Sequence, residues 1–179
     1  MGLDITAISG IVTKELDPIA YDFHALLDAD TDSFSINRDF PSHSADFNVA
    51  SGRVEYVRSD ESKELEFRVG SYSTYNKLRN LMCLSIHNIK IETAWDSPNI
   101  YGNKALWDLL NFSDCDGVID STTSARILKD LKDNIDNFSN YITNDNDIGE
   151  MDTEHYIDSY NMFIDCFELG ADSGIVIFG

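Results

Sequence analysis

Residues 53–86 decide the fold. They run Arg53-Val-Glu-Tyr-Val-Arg58, a polar stretch Ser59–Glu64, Leu65-Glu-Phe-Arg-Val69, then Gly70-Ser-Tyr-Ser-Thr-Tyr-Asn-Lys-Leu-Arg79 and on to Ile86. The first part is rich in β-formers and reads as two strands joined by Ser59–Glu64 in a hairpin. Gly70 and Ser71 break that pattern, and Ser71 or Ser73 can cap a helix. Tyr75, Leu78, Leu81, Met82 and Ile86 then recur at helical spacing. Strand gives way to helix without βαβ regularity, which predicts an α+β fold rather than a doubly wound one.

The same reading extends outward. Leu3–Val12 predicts a strand with Ile5 and Val12 on its buried side. Residues 14–50 read as an irregular excursion holding at most a short helix. Within it, Asp28-Ala-Asp-Thr-Asp32 resembles the opening of a calcium loop, but it lacks the Gly and the closing Glu and reads as a solvated loop. Lys104–Phe112 predicts a short helix. Ser121 is placed as the cap of a long one over Thr122–Thr143, striped by Ser124, Leu128, Leu131, Ile135, Phe138 and Ile142. Another helix is expected over Asp152–Leu169, with Tyr156, Tyr160, Phe163, Ile164 and Phe167 inward and Gly170 ending it. Gly174–Phe178 closes as a buried strand. The expectation is one α+β domain over 1–179, with an antiparallel sheet of strands near 3–12, 53–58, 65–69 and 174–178 covered by helices.

Composition agrees with a folded chain. Of 179 residues, 42 % are apolar and 11 % aromatic, with only 3 Pro and 10 Gly, which excludes a disordered polymer. No apolar run nears the ~18–20 residues of a membrane span, and Met1–Gly10 lacks signal-peptide order. A soluble cytoplasmic protein without a membrane partner is expected. The net charge is −19, and it is uneven: residues 133–179 hold eleven acids and no base. Such a field repels nucleic acid and anionic membrane. The acidic stretch is either a solvated helical face or a surface that imitates nucleic-acid phosphate for a basic partner.

Cys83, Cys115 and Cys166 are too widely spaced for a disulfide framework or a zinc site. Cys83 and Cys166 sit in apolar helical patterns, and Asp114 and Asp116 would suppress the Cys115 thiolate. His24, His43, His87 and His155 form no ligand motif, and no nucleophile elbow, zinc helix or dinucleotide fingerprint occurs. No catalysis and no cofactor are expected.

Two segments carry the candidate site. Gly70–Arg79 offers helix-start N–H groups with Ser71, Ser73 and Thr74 hydroxyls as an anion cradle, Tyr72 and Tyr75 to stack on a ring, and Lys77 or Arg79 as cations. Its plain alternative is capping and core packing. Asn111–Ile119, with the Asp120 that follows it, places Ser113, Asp114, Asp116 and Asp120 oxygens at near-alternate spacing. That pattern suits a pocket edge, a hard cation, or simply a turn. The ligand-binding set is therefore Ser71, Tyr72, Ser73, Tyr75, Arg79, Ser113, Asp114 and Asp116, with no metal ligand assigned.

These segments also resemble a family of bacteriophage- and prophage-encoded proteins. The likeness is carried by Met1–Ile5, Gly70–Arg79, Phe112–Gly117, Ser124–Leu131 and the Phe167-Glu-Leu-Gly-Ala-Asp-Ser-Gly174 ending. The chain departs from that pattern at Leu78 (Trp in the family), Asp116 (Glu) and Asp120 (Gly). The resemblance implies life in an infected bacterial cytoplasm and an accessory role against host defence, but no activity. The expected function is an inhibitory binding protein that holds a host protein or sequesters a small nucleotide-like signal. Alternatives are an acidic nucleic-acid mimic against a basic host protein, and a metal-dependent hydrolase using Asp114 and Asp116.

Overall fold

Residues 2–13, 32–36, 39–47, 52–112 and 116–179 are described by a computed structural model of the chain. Most of the excursion expected over 14–50, including Asp28 and Asp30, lies outside them. The fold is α+β, with every strand pairing antiparallel. Strands β1 (Gly2–Ile8), β5 (Glu64–Ser71), β6 (Gly117–Ile119) and β7 (Ile175–Phe178) form one sheet in the order β5-β1-β7-β6. Strands β2 (Ile11–Thr13), β3 (Asp32–Ile36) and β4 (Gly52–Arg58) form a second in the order β2-β4-β3.

The hairpin expected across Ser59–Glu64 is not there. β4 and β5 belong to different sheets, and each pairs with a piece of the N-terminal strand: Ile8 faces Glu64, and Ile11 faces Arg58. The chain expected as one strand over 3–12 and the chain over 52–71 thus run antiparallel along their length and bend together. Residues 9–10 lie opposite 59–63 at that corner. Serines stitch it: the Ser9 amide donates to the Lys63 carbonyl (2.9 Å), the Lys63 amide to Ser9 Oγ (3.1 Å), and the Ser62 hydroxyl to the Ser9 carbonyl (2.6 Å). Gly10 turns through φ +62°, and a Cβ there would sit 2.6 Å from Ser59 Oγ. A polar stretch between two strands carries the same residues whether it reverses the chain or bends it, so sequence does not separate the two.

Two sheets also mean two apolar layers. Along β7, Val176 and Phe178 join the core beneath the helices. Ile175 and Ile177 join a second cluster with Phe34, Phe47, Val54, Tyr56 and Val118 beneath the smaller sheet. A strand buried on both faces reads as the unbroken run Ile-Val-Ile-Phe rather than as an alternation.

The helices are α1 (Tyr72–His87), α2 (Ile91–Trp95), α3 (Pro98–Tyr101), α4 (Trp107–Leu110), α5 (Ser121–Asn144) and α6 (Glu150–Ala171). A 3-10 segment, Pro41–Phe47, precedes β4. Ser71 caps α1 through its side chain. The cap of α5 is Asp120, one residue before the expected Ser121: its carboxylate accepts from the Thr123 amide at 2.7 Å. The helix expected over Lys104–Phe112 shrinks to the single turn α4. Val12, Leu128, Ile135 and Ile164 are half-buried rather than inside, while Ile11 and Ile127 are buried.

The two long helices pair closely. Phe138 stacks on Tyr160 at 4.4 Å, and the Tyr160 hydroxyl donates to the Leu131 carbonyl at 2.9 Å. Gly170 does not end α6, which runs on to Ala171. It lies tight against β7 and α5, where a Cβ would fall 2.6 Å from Val176 and 2.7 Å from Ser124 Oγ. Among the described residues, no helix is long and apolar enough to cross a membrane.

Candidate functional site

The start of α1 is built as a cap. Ser71 Oγ accepts the Thr74 amide at 3.1 Å and lies 2.6 Å from Ser73 Oγ and 2.9 Å from Thr74 Oγ1, all of it exposed. Tyr72 is half-buried one residue on. Helical spacing then carries Tyr75 and Arg79 inward. Tyr75 is fully buried, stacked on Phe163 at 6.0 Å. Arg79 is 4 % exposed, with its guanidinium 4.5 Å from the Tyr75 ring centre and 5.2 Å from that of Trp95.

The guanidinium is used on backbone. It donates to the Phe112 carbonyl at 2.7 Å and the Leu110 carbonyl at 3.4 Å, and also to the Asn76 side chain. Trp95 Nε1 donates to Leu110 O at 3.1 Å, and His43 Nε2 donates to Asp108 O at 2.7 Å. A one-turn helix leaves its last carbonyls without internal partners, and these three side chains supply them. The two sequence-selected segments therefore meet, Arg79 on one against Phe112 on the other. Ser113, Asp114 and Cys115 lie outside the described residues, and Asp116 is exposed just before β6.

His43 is buried among Phe40 and Phe112, and that burial lowers its pKa. The Asp108 carbonyl and the Asp108 and Asp120 carboxylates oppose the shift, while Arg126 adds to it. Since a carbonyl can only accept, Nε2 carries the proton of the neutral ring and Nδ1 is left to accept from the Ser42 hydroxyl at 3.3 Å. Burial pushes the Cys83 thiol up to about 11 and Cys166 up to about 12, so both are inert apolar side chains.

Two surface features were not singled out by sequence. The first is a groove of about 540 Å³ where α5 turns into α6, with Ile148 and Ile157 in its wall beside Glu150, Glu154 and Asp158. Met151, 86 % exposed, stands on the same first turn of α6. Ile157 is the available signal: it is an apolar residue one step off the buried stripe of Tyr156, Tyr160, Phe163 and Phe167. The second is a cleft of about 490 Å³ between the segment before α4 and the first half of α5, lined by Lys104, Trp107, Asp108, Arg126, Lys129 and Asp130 among others. Its cations come from segments 22 or more residues apart in sequence, so only the fold assembles them.

The surroundings of these features differ sharply in charge. Of the eleven acids from Asp133 to Asp172, ten are exposed and Asp145 is half-buried. Lys129 pairs with Asp133 and Lys132 with Glu168; the remainder are Asp136 on α5, Asp145 and Asp147 in the connection, five along α6 and Asp172 just after it. Comparison with protein-family models, with curated proteins and with solved structures finds no match to this chain.

Proposed function

We propose that this protein is an inhibitory binding protein whose working surface is the α5–α6 hairpin, and that it occupies a basic surface of a partner protein. The observation that carries the reading is the groove at the hairpin turn: apolar Ile148 and Ile157, flanked by Glu150, Glu154 and Asp158, in a stretch without a single base. A face kept only for solubility needs charge but no apolar floor. Protein interfaces combine a buried apolar centre with a polar rim, and like-signed charge on that rim selects an oppositely charged partner and speeds encounter.

The interior positions of Tyr75 and Arg79 also favour the hairpin over the α1 start, because both side chains are engaged inside the fold. With the bacteriophage resemblance, the partner is a basic host protein, such as one that handles nucleic acid, held in the infected cytoplasm.

The test is capture from bacterial lysate on immobilised protein at low and high salt, beside the double reversal Glu154→Lys/Asp158→Lys. The reading expects basic proteins that are released as salt approaches ~1 M, where the Debye length falls to about 3 Å. It expects their loss from the double variant, whose melting temperature does not fall. Capture that ignores salt, or that the variant retains in full, would overturn it.

A further inference from the structure

We infer that the cleft between the segment before α4 and α5 is a binding site for a small phosphate-bearing ring compound of the nucleoside phosphate class. The inference is independent of the hairpin reading, since it concerns a different part of the surface and a ligand of opposite charge. Of the 13 Lys and Arg residues in a chain of net charge −19, three line this one cleft: Lys104, Arg126 and Lys129. Self-repulsion does not explain such a cluster on an otherwise acidic molecule, whereas a small anion does, because cations in a concave site focus the field locally.

The two carboxylates in the wall are already committed. Asp108 Oδ2 receives Arg126 Nε at 3.1 Å, and Asp130 Oδ2 receives the Leu106 amide at 2.7 Å. That second bond holds buried Leu106 at φ +60°, a conformation side chains other than glycine rarely take, and so sets the entry into α4. Arg126 is thereby fixed, with its NH2 group also on Thr123 Oγ1 at 3.2 Å. Lys129 pairs with the exposed Asp133 and feels the neighbouring Asp130 carboxylate, contacts at the surface too weak to hold it from a better anion. Among the described residues, Lys104 has no acidic partner.

The cations account for phosphate, and Trp107 accounts for the ring. Its indole is half-buried in the wall and offers the flat apolar surface on which a base stacks. The Asn103 side-chain amide beside it can donate and accept at a base edge. A volume of about 490 Å³ falls within the range of small-molecule sites. Inorganic phosphate alone would leave the indole unused, and a neutral nucleoside would leave the cations unused.

The experiment uses tryptophan fluorescence, because Trp95 and Trp107 are the only tryptophans in the chain. The full-length protein is titrated with AMP, GMP, CMP, UMP and their diphosphates, with inorganic phosphate and adenosine as controls. Saturable quenching by at least one nucleotide, kept in Trp95→Phe and lost in Trp107→Phe, is expected. Lys104→Glu/Lys129→Glu should weaken that nucleotide by about tenfold or more, the worth of one to two charge-assisted bonds. Both lysines are exposed, so this variant should keep its fold, and heteronuclear NMR shifts at Asn103 and Arg126 give a second readout that needs no tryptophan. The inference fails if no nucleotide saturates, if the lysine reversals leave affinity unchanged, or if phosphate alone binds as tightly as every nucleotide.

Discussion

His43 and Arg79 both reach the α4 turn from the interior, and each donates to a backbone carbonyl there. Their roles differ with their charge. Arg79 spreads a permanent charge over several acceptors and two aromatic faces, which suits a guanidinium. His43 stays inside only as a neutral ring, and its stability contribution therefore depends on pH. Its pKa is lowered in the fold, so the unfolded chain takes up the proton first as pH falls below the ordinary value of 6.5. Stability from this residue is complete above that value and declines from there down toward the depressed folded pKa. Urea midpoints measured from pH ~7.5 to ~5 should fall more steeply in the parent than in His43→Gln, if the ring titrates as argued. Parallel curves would show that the decline belongs to other groups. Arg79 falls on the apolar stripe of α1, four residues after Tyr75, so its inward position was legible, whereas no local pattern says which scattered histidine will face inward.

The elements were legible wherever one periodicity ran unopposed. α1, α5 and α6 follow their apolar stripes closely, and the strand before the end of the chain follows its apolar run. Legibility failed where meaning depends on a distant partner. Ser59–Glu64 bends rather than reverses the chain because β1 and β2 continue past it, and nothing local encodes that. Gly170 resembles a helix stop because glycine often is one, yet the helix passes through it to let Ser124 and Val176 approach. The start of α5 has the same character. Asp120 accepts the Thr123 amide and, through its other oxygen, the Asp46 amide at 3.1 Å, while Asp46 in turn accepts the Thr122 amide at 3.0 Å. Two carboxylates thus complement the positive end of one helix and tie the 3-10 segment to it. Asp120→Ala should cost about 1–2 kcal/mol for the cap, and more for the stranded Asp46 amide. The check is chemical denaturation beside amide exchange: Asp46, Thr122 and Thr123 should lose protection together. Loss confined to Thr123 would mean the segment docks by its aromatic residues alone.

Across the whole molecule, the acids that define the hairpin also repel one another. Melting temperature should rise as salt is added from low ionic strength, because shortening the Debye length relieves repulsion within the folded state. A flat or falling curve would mean that local pairs such as Lys132–Glu168 already neutralise the surface. Of the candidate site, sequence marked the two segments that Arg79 and Phe112 join, but neither the groove nor the cleft, since surface concavity is a product of packing. The central strand pairing has a further consequence, one of timing. β1 lies between β5 and β7, and Ile5 stands opposite Phe178. A ribosome that has made the first 71 residues has supplied only one of the two neighbours β1 needs. Until residue 178 emerges, the other edge of that strand is open, and it is the kind of edge onto which another nascent chain can pair. Contacts that far apart in sequence form slowly, so the youngest state of this protein is the one most exposed to aggregation, and a chaperone that shields β1 would act before the fold has any surface to offer a partner.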